Sequence, residues 1–271
     1  MLRSIHFRGA FLGAALLLSC AADRGAGQGY RFPEGDTLRY RQVTESRLTL
    51  SAPGGTTAIP LTQNSVMSLS GTGEHVLAWF DSLTLVARLR GNTRSVATEA
   101  VIGQPYRLHV SPQGRIDALQ APEFPAEVAE FADLSKQFVD FLIPLPERPL
   151  AEGRQWNEAF EGDVVDGEAG YRADRSYRVT GDTVINGDTA WVIAVTQQIR
   201  QRATRPTSGG LAMSELQGQD RGTAVYSATT GRLLSRRSEG TLRGTMTLRT
   251  ANRDVEMPQS FSYTSTLQLL P

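Results

Sequence analysis

The side chains able to do chemistry are few and scattered. His75 and His109 lie far apart on stretches that alternate like strands, and neither has a second histidine at metal-ligand spacing. Five carboxylates cluster at Glu158, Glu161, Asp163, Asp166 and Glu168. A calcium loop would need alternating Asp/Asn ligands, which this run lacks, so it reads as a charged, solvated hairpin. A glycosidase pair is set by carboxylate separation in space, which sequence order does not fix. Arg236-Arg237 with Arg200 and Arg202 could form an anion-binding strip. Lys136 is the only lysine, however, and so strong an arginine bias makes arginines on solvated sheet faces the simpler reading. No Gly-x-Ser-x-Gly elbow, dinucleotide fingerprint or phosphate loop occurs. The expectation is a protein that is not an enzyme and takes no cofactor and no metal.

Cys20 is the single cysteine, so no intramolecular disulfide can form. It follows a positive start (Arg3, His6, Arg8) and an apolar run from Ala10 to Leu18, which is far shorter than the ~20 residues of a membrane span. That pattern is a secretory signal. Leu17-Leu18-Ser19-Cys20 resembles the lipobox of bacterial lipoproteins. The resemblance implies cleavage after residue 19, lipidation of the Cys20 thiol and acylation of the new amino terminus. At roughly 0.8 kcal/mol per buried methylene, three acyl chains anchor a protein in practice irreversibly. Ala21 after the cysteine, in place of Asp, implies sorting to the outer membrane, facing the periplasm. Residues 20–29 carry three glycines and read as a flexible tether of at most about 30 Å.

Whatever positions these residues is mostly β. Leu38, Tyr40, Leu48 and Leu50 alternate with polar residues, as do Tyr106, Leu108 and Val110, and Phe261, Tyr263, Ser265, Leu267 and Leu269. Leu77, Trp79, Leu83, Leu85, Ala87 and Leu89 share one parity of a long strand. Short turns without intervening helices predict antiparallel pairing. Between Glu123 and Trp156 the period changes. Phe124, Val128, Phe131, Leu134, Phe138 and Leu142 recur at steps of three and four, with Pro125 in the first turn and Pro144 and Pro146 as a stop. The spacing predicts one amphipathic helix over 122–144. The expected fold class is therefore mainly β, with a curved, half-barrel-like antiparallel sheet of two meander halves, 30–121 and 150–271, around that helix. Residues 1–19 are the signal and 30–271 a single domain.

Three landmarks recur in order and at a near-constant offset. Glu34-Gly35 matches Glu152-Gly153, Ala78-Trp79 matches Ala190-Trp191, and Gly114-Arg115-Ile116 matches Gly231-Arg232-Leu233. They suggest an internal duplication. One helix cannot cover the whole concave face of such a sheet, so a cavity is expected, lined by Phe131, Phe138, Leu142, Trp79 and Trp191. Its occupant would be an apolar ligand or lipid. A fully packed interior would instead make the protein an envelope scaffold.

Charge excludes other classes. With 28 basic and 28 acidic residues and no basic run, the chain carries no nucleic-acid footprint. Arg, Gln or Asp on both parities of many strands argue against a transmembrane barrel. The turn Val-Ser-Pro-Gln-Gly-Arg-Ile at 110–116 and Pro-Leu-Pro-Glu-Arg-Pro-Leu-Ala-Glu-Gly-Arg-Gln-Trp at 144–156 resemble a family of uncharacterised bacterial lipoproteins. That resemblance spans about residues 30–270 and implies no catalytic residues. More distantly, the architecture is similar to the Lol-type lipoprotein carriers, whose half-open sheet holds acyl chains.

Overall fold

The computed structural model describes residues 28–271 apart from 33, 53, 90, 133, 163–168, 186, 208–209 and 251–252. Its strands are β1 (Thr37–Ala52), β2 (Gly55–Thr72), β3 (His75–Leu89), β4 (Asn92–Ser95), β5 (Tyr106–Val110), β6 (Ile116–Gln120), β7 (Gln155–Gly162), β8 (Ala169–Ile185), β9 (Asp188–Thr207), β10 (Gly210–Ser227), β11 (Arg232–Arg249) and β12 (Asp254–Leu269). They form one 12-stranded antiparallel sheet in the order β6-β5-β3-β2-β1-β12-β11-β10-β9-β8-β7, with β4 on β3. The sheet is mainly β as expected, curved, and not closed into a barrel.

This order follows from how the two halves join. The first and last strands, β1 and β12, pair at the centre of the sheet from Tyr40–Leu269 to Leu50–Gln259. Residues 37–120 therefore step outward to one edge, while residues 155–269 start at the opposite edge and step back to the centre. The link from β6 to β7 has to cross the full width of the concave face. That is why the Phe-rich stretch sits there.

The link departs from the predicted helix over 122–144. Only α1 (Ala126–Phe131) is helical, and Ala132 is already extended at φ −149° and ψ 133°. The remainder runs as turns and irregular chain. A single helix buries one stripe, but Phe141, Leu142, Ile143, Pro144 and Leu145 are buried in succession, which a stripe cannot do. The segment is a plug with sheet on several sides. Side chains of the sheet and of the N-terminal segment satisfy its carbonyls in place of a helical ladder. The Tyr106 hydroxyl donates to Leu134 O (2.8 Å), the Tyr30 hydroxyl to Ile143 O (3.0 Å), and the Trp156 indole to Pro144 O (2.9 Å).

The main core lies between plug and sheet. Phe138 meets Tyr106 edge-to-face at 4.7 Å between centroids, and Phe141 meets Tyr40 at 5.1 Å. The two open edges are tied at this end without a ladder. Leu145 N–H donates to Gln113 O (2.7 Å), and Arg115 pairs with Glu158 of β7 (2.5 Å).

Part of the expected tether is also fixed. Gln28 accepts from Leu150 N–H (2.5 Å), and Gly29 O accepts from the Tyr226 hydroxyl (2.8 Å). Tyr30 N–H donates to Pro112 O and Arg31 N–H to Gly231 O. The two hairpins that recur in the sequence thus grip the same N-terminal segment. Gly114 has φ +83°, and a Cβ there would sit 2.2 Å from the Tyr30 ring, so both its conformation and its contact require glycine. Residues 1–27, including the signal and Cys20, lie outside the described residues.

A bulge corrects one parity. Val66 pairs with Ser82 but Met67 with Phe80, leaving Asp81 as the extra residue of β3. Inward positions therefore switch from Val76, Ala78 and Phe80 to Leu83, Leu85 and Ala87. Leu77 and Trp79 point outward instead of sharing a face with Leu83, and Leu77 is 47% exposed.

Candidate functional site

Antiparallel register turns the concave face into rows of side chains that run across the strands. One row is apolar over eight strands: Ile59, Leu48, Phe261, Leu242, Gly218, Ile199, Ala173 and Phe160. Ala173, Ile199, Leu216 and Leu242 form a second buried cluster here, with Tyr171 and Phe261 packed against it. Toward the tips of β10–β12 the concave face continues with Met246 opposite Met257 and Leu248 opposite Val255. These last four are half-buried and belong to neither core cluster.

The next row toward the plug is polar: Ser46, Tyr263, Gly240, Asp220, Gln197, Arg175 and Glu158. Tyr263 of β12 lies across Gly240 of β11 and donates its hydroxyl to Asp220 of β10. The other Asp220 carboxylate oxygen is buried and has no partner among the described residues. Burial pushes the Asp220 carboxyl above the usual carboxylate range. Burial and the Asp220 charge push the Tyr263 hydroxyl up as well.

Arg175 ties this row to the plug. It donates to Gln197 (3.2 Å) and to Asp140 (2.5 Å), and its guanidinium stacks over Phe160 at 5.1 Å. Burial works to lower the Arg175 pKa, but the Asp140 charge and hydrogen bond together with Tyr177 and Tyr171 outweigh it and hold the guanidinium firmly protonated. Arg236 donates to Asp140 O (2.5 Å). Tyr171 is pushed up to about 12, mainly by burial and then by Asp140.

Between plug and polar row lies a cleft of about 370 Å³. Lys136, Gln137, Asp140 and Phe141 line it from the plug. Gln42, Gln63, Gln197, Arg236, Ser238, Tyr263 and Ser265 are among the sheet residues, and Tyr171, Phe261 and Leu267 supply apolar wall. Gln137 donates to Gln42 (2.7 Å) and Gln63 donates to Gln137 (3.2 Å), so the cleft's amides hold one another in place. The Lys136 ammonium is exposed and unpaired among the described residues. A larger groove of about 1210 Å³ crosses the opposite face between Glu45, Arg47, Asp174, Arg221, Glu239 and Arg243. Its walls are polar, and Arg221 and Glu239 neutralise each other at 2.6 Å.

The residues singled out by sequence fall in different places. Phe138 (0% exposed) and Leu142 (5%) are packed inside the main core, because the plug turns them away from the cleft. Phe131 ends α1, and its side chain lies outside the described residues. Trp191 is half-buried against the rim of the main core. Trp79 is on the outer face, where its indole donates to Asp81 (2.9 Å) beside Arg39 and Ser68. His75 and His109 pair across β3 and β5 with rings 5.6 Å apart, and His109 faces Glu74 at 3.0 Å. Even so, no metal-holding group of three or more His, Cys, Asp or Glu occurs among the described residues. Arg236 and Arg237 point to opposite faces, so they do not form one strip with Arg200 and Arg202. Glu158 pairs with Arg115 and Glu161 with Arg172, while Asp163, Asp166 and Glu168 lie outside the described residues.

Sequence reasoning missed the polar row. Its signal was present as interruptions of inward parity: Arg175 between Ala173 and Tyr177, and Gln197 between Val195 and Ile199. Only the strand register shows that they align.

No family model and no curated protein matches the chain. Among solved structures it is similar to lipovitellin, in a structure on lipid–protein interactions, at a TM-score of 0.52 and 13% identity, over 89% of this chain and 26% of that one. The chain thus spans about a quarter of the length of that protein. Pseudomonas aeruginosa OccK2 in complex with glucuronate (TM-score 0.21, 10% identity, 89% and 100% of the two chains) is far weaker. So is a candidate outer membrane lipoprotein-sorting protein domain from Vibrio parahaemolyticus (TM-score 0.14, 11% identity, 91% and 87%). At those scores neither carries an argument. The lipovitellin likeness is one of fold: a large, open antiparallel sheet.

Proposed function

We propose that this chain is a lipid-anchored envelope protein that performs no catalysis and holds an apolar or amphipathic ligand on the concave face of its sheet. The observation that carries this reading is the apolar row across eight strands together with the half-buried Met246, Met257, Leu248 and Val255, which lie beyond Gln259 and outside both core clusters. Ala173, Ile199 and Leu242 are already buried, but Leu48, Phe261, Met246, Met257, Leu248 and Val255 are half-buried, and such apolar surface gains free energy when an alkyl chain displaces water, at about 25 cal/mol per Å² removed from solvent. From Tyr263 to Val255 the face extends about 26 Å at ~3.3 Å per residue, enough for one acyl chain of a ~30 Å bilayer core. The fold shared with lipovitellin supports a sheet that serves lipid. The anchor on Cys20 and an outer-membrane address rest on the lipobox resemblance. Among the described residues no helix is long and apolar enough to cross a membrane.

Native mass spectrometry of the full chain, purified from membranes in mild detergent, tests the ligand. Lipid adducts are expected beyond the mass of the anchored chain, and Leu48→Glu, which sets a charge in the apolar row, should strip them. Recovery of the anchored chain alone, in every preparation, would overturn the reading in favour of a scaffold with a filled interior. The anchor is tested separately by metabolic labelling with an alkyne fatty acid. Cys20→Ser should abolish the label.

A further inference from the structure

We propose that the cleft between plug and polar row seats the anionic end of an amphiphile, a carboxylate or phosphate, whose alkyl chain lies along the apolar row. The inference deepens the reading above and rests on it.

Lys136, Arg236 and Asp140 line this space, and Arg175 and Asp220 stand in the polar row beside it. Arg175 is neutralised by Asp140 at 2.5 Å. Asp220 is 3% exposed and accepts from the Tyr263 hydroxyl. Three cations against two carboxylates leave a net positive charge here, with Lys136 on the plug and Arg236 on the sheet, on either side of the cleft. Arg236 gives one bond to Asp140 O and keeps the rest of its donor fork available. The amides of Gln42, Gln63, Gln137 and Gln197, with the hydroxyls of Ser238 and Ser265, supply neutral donors around the same space. A volume of about 370 Å³ fits a headgroup and excludes a second acyl chain. Phe261 lines the cleft and also stands in the apolar row, so the polar seat opens onto the alkyl track without a gap.

The test is equilibrium dialysis of the delipidated full chain against radiolabelled oleate, oleyl alcohol and oleoyl lysophosphatidate, all carrying the same alkyl chain. The anionic probes should bind at least about tenfold more tightly than the alcohol, the size of one charge-assisted contact. Lys136→Gln, on an exposed side chain, and Arg236→Gln should each erase that preference, bringing anion affinity down to that of the alcohol in the same variant. Tighter binding of lysophosphatidate than of oleate assigns the seat to phosphate, and the reverse order assigns it to carboxylate. Equal affinity of wild-type protein for alcohol and anions, or indifference of both anions to Lys136→Gln, would overturn the headgroup assignment and leave the apolar row standing. Failure of all three probes to bind would overturn the apolar row itself.

Discussion

At the scale of single residues, the sheet interior uses charge as a brace. The Arg175 side chain is 9% exposed and that of Asp140 is 34% exposed, so breaking their pair strands a cation with little water. Asp140→Asn should cost roughly 2–3 kcal/mol in urea denaturation, below the ~3–5 expected for a fully buried pair because Asp140 keeps some solvent. Asp220 acts in the opposite direction. Its folded-state pKa is raised by burial, so the folded chain binds that proton more tightly than the unfolded chain. The resulting penalty is absent below the unfolded carboxylate range, grows as pH rises, and is complete above the folded pKa. Asp220→Asn should therefore raise Tm at neutral pH, and the gain over wild type should shrink as pH falls into the ordinary carboxylate range. A gain independent of pH would show that the Asp220 pKa is the same in the folded and unfolded chains.

At the scale of elements, the plug and the β3 bulge decide what is covered. Phe138 touches Phe80, Tyr106 and Phe141 and is fully buried, so Phe138→Ala should cost about 3–5 kcal/mol by denaturant titration. Deleting Asp81 should do more. Without the bulge, the distal half of β3 slips by one residue, and Leu83, Leu85 and Ala87 face solvent. The expected outcome is loss of a cooperative transition in thermal circular dichroism. The sequence showed the Phe spacing of the plug but not its conformation. Steps of three and four report which side chains are buried, and they report a helix only where burial is one-sided. Here the sheet receives the segment from several directions and bonds its carbonyls.

At the scale of the whole molecule, the two ends of the sheet differ. At one end the plug, residues 28–32 and the hairpins at Gly114 and Gly231 lock together. At the other, the tips of β9–β12 carry their ladders without a plug. Hydrogen exchange should show amides near Leu233 and Ile193 as the most protected and those near Met213 and Leu248 as opening well below the global free energy. Uniform protection along these strands would contradict the asymmetry. The Arg115–Glu158 pair joins the open edges near the surface, with Arg115 45% exposed. Arg115→Gln should change stability by less than ~1 kcal/mol, because the plug already spans the gap.

The sequence by itself determined the class of fold, the short antiparallel connections, the recurrence of the two hairpins and the one segment that breaks the β period. Each of these is local, since alternation, glycine turns and proline stops act within a few residues. The tertiary structure decided which residues share a row. Arg175, Gln197, Asp220 and Tyr263 come from four strands and become a polar belt only through register. Register, in turn, is set by bulges and by the pairing of the first strand with the last, and both depend on contacts between residues far apart in the chain.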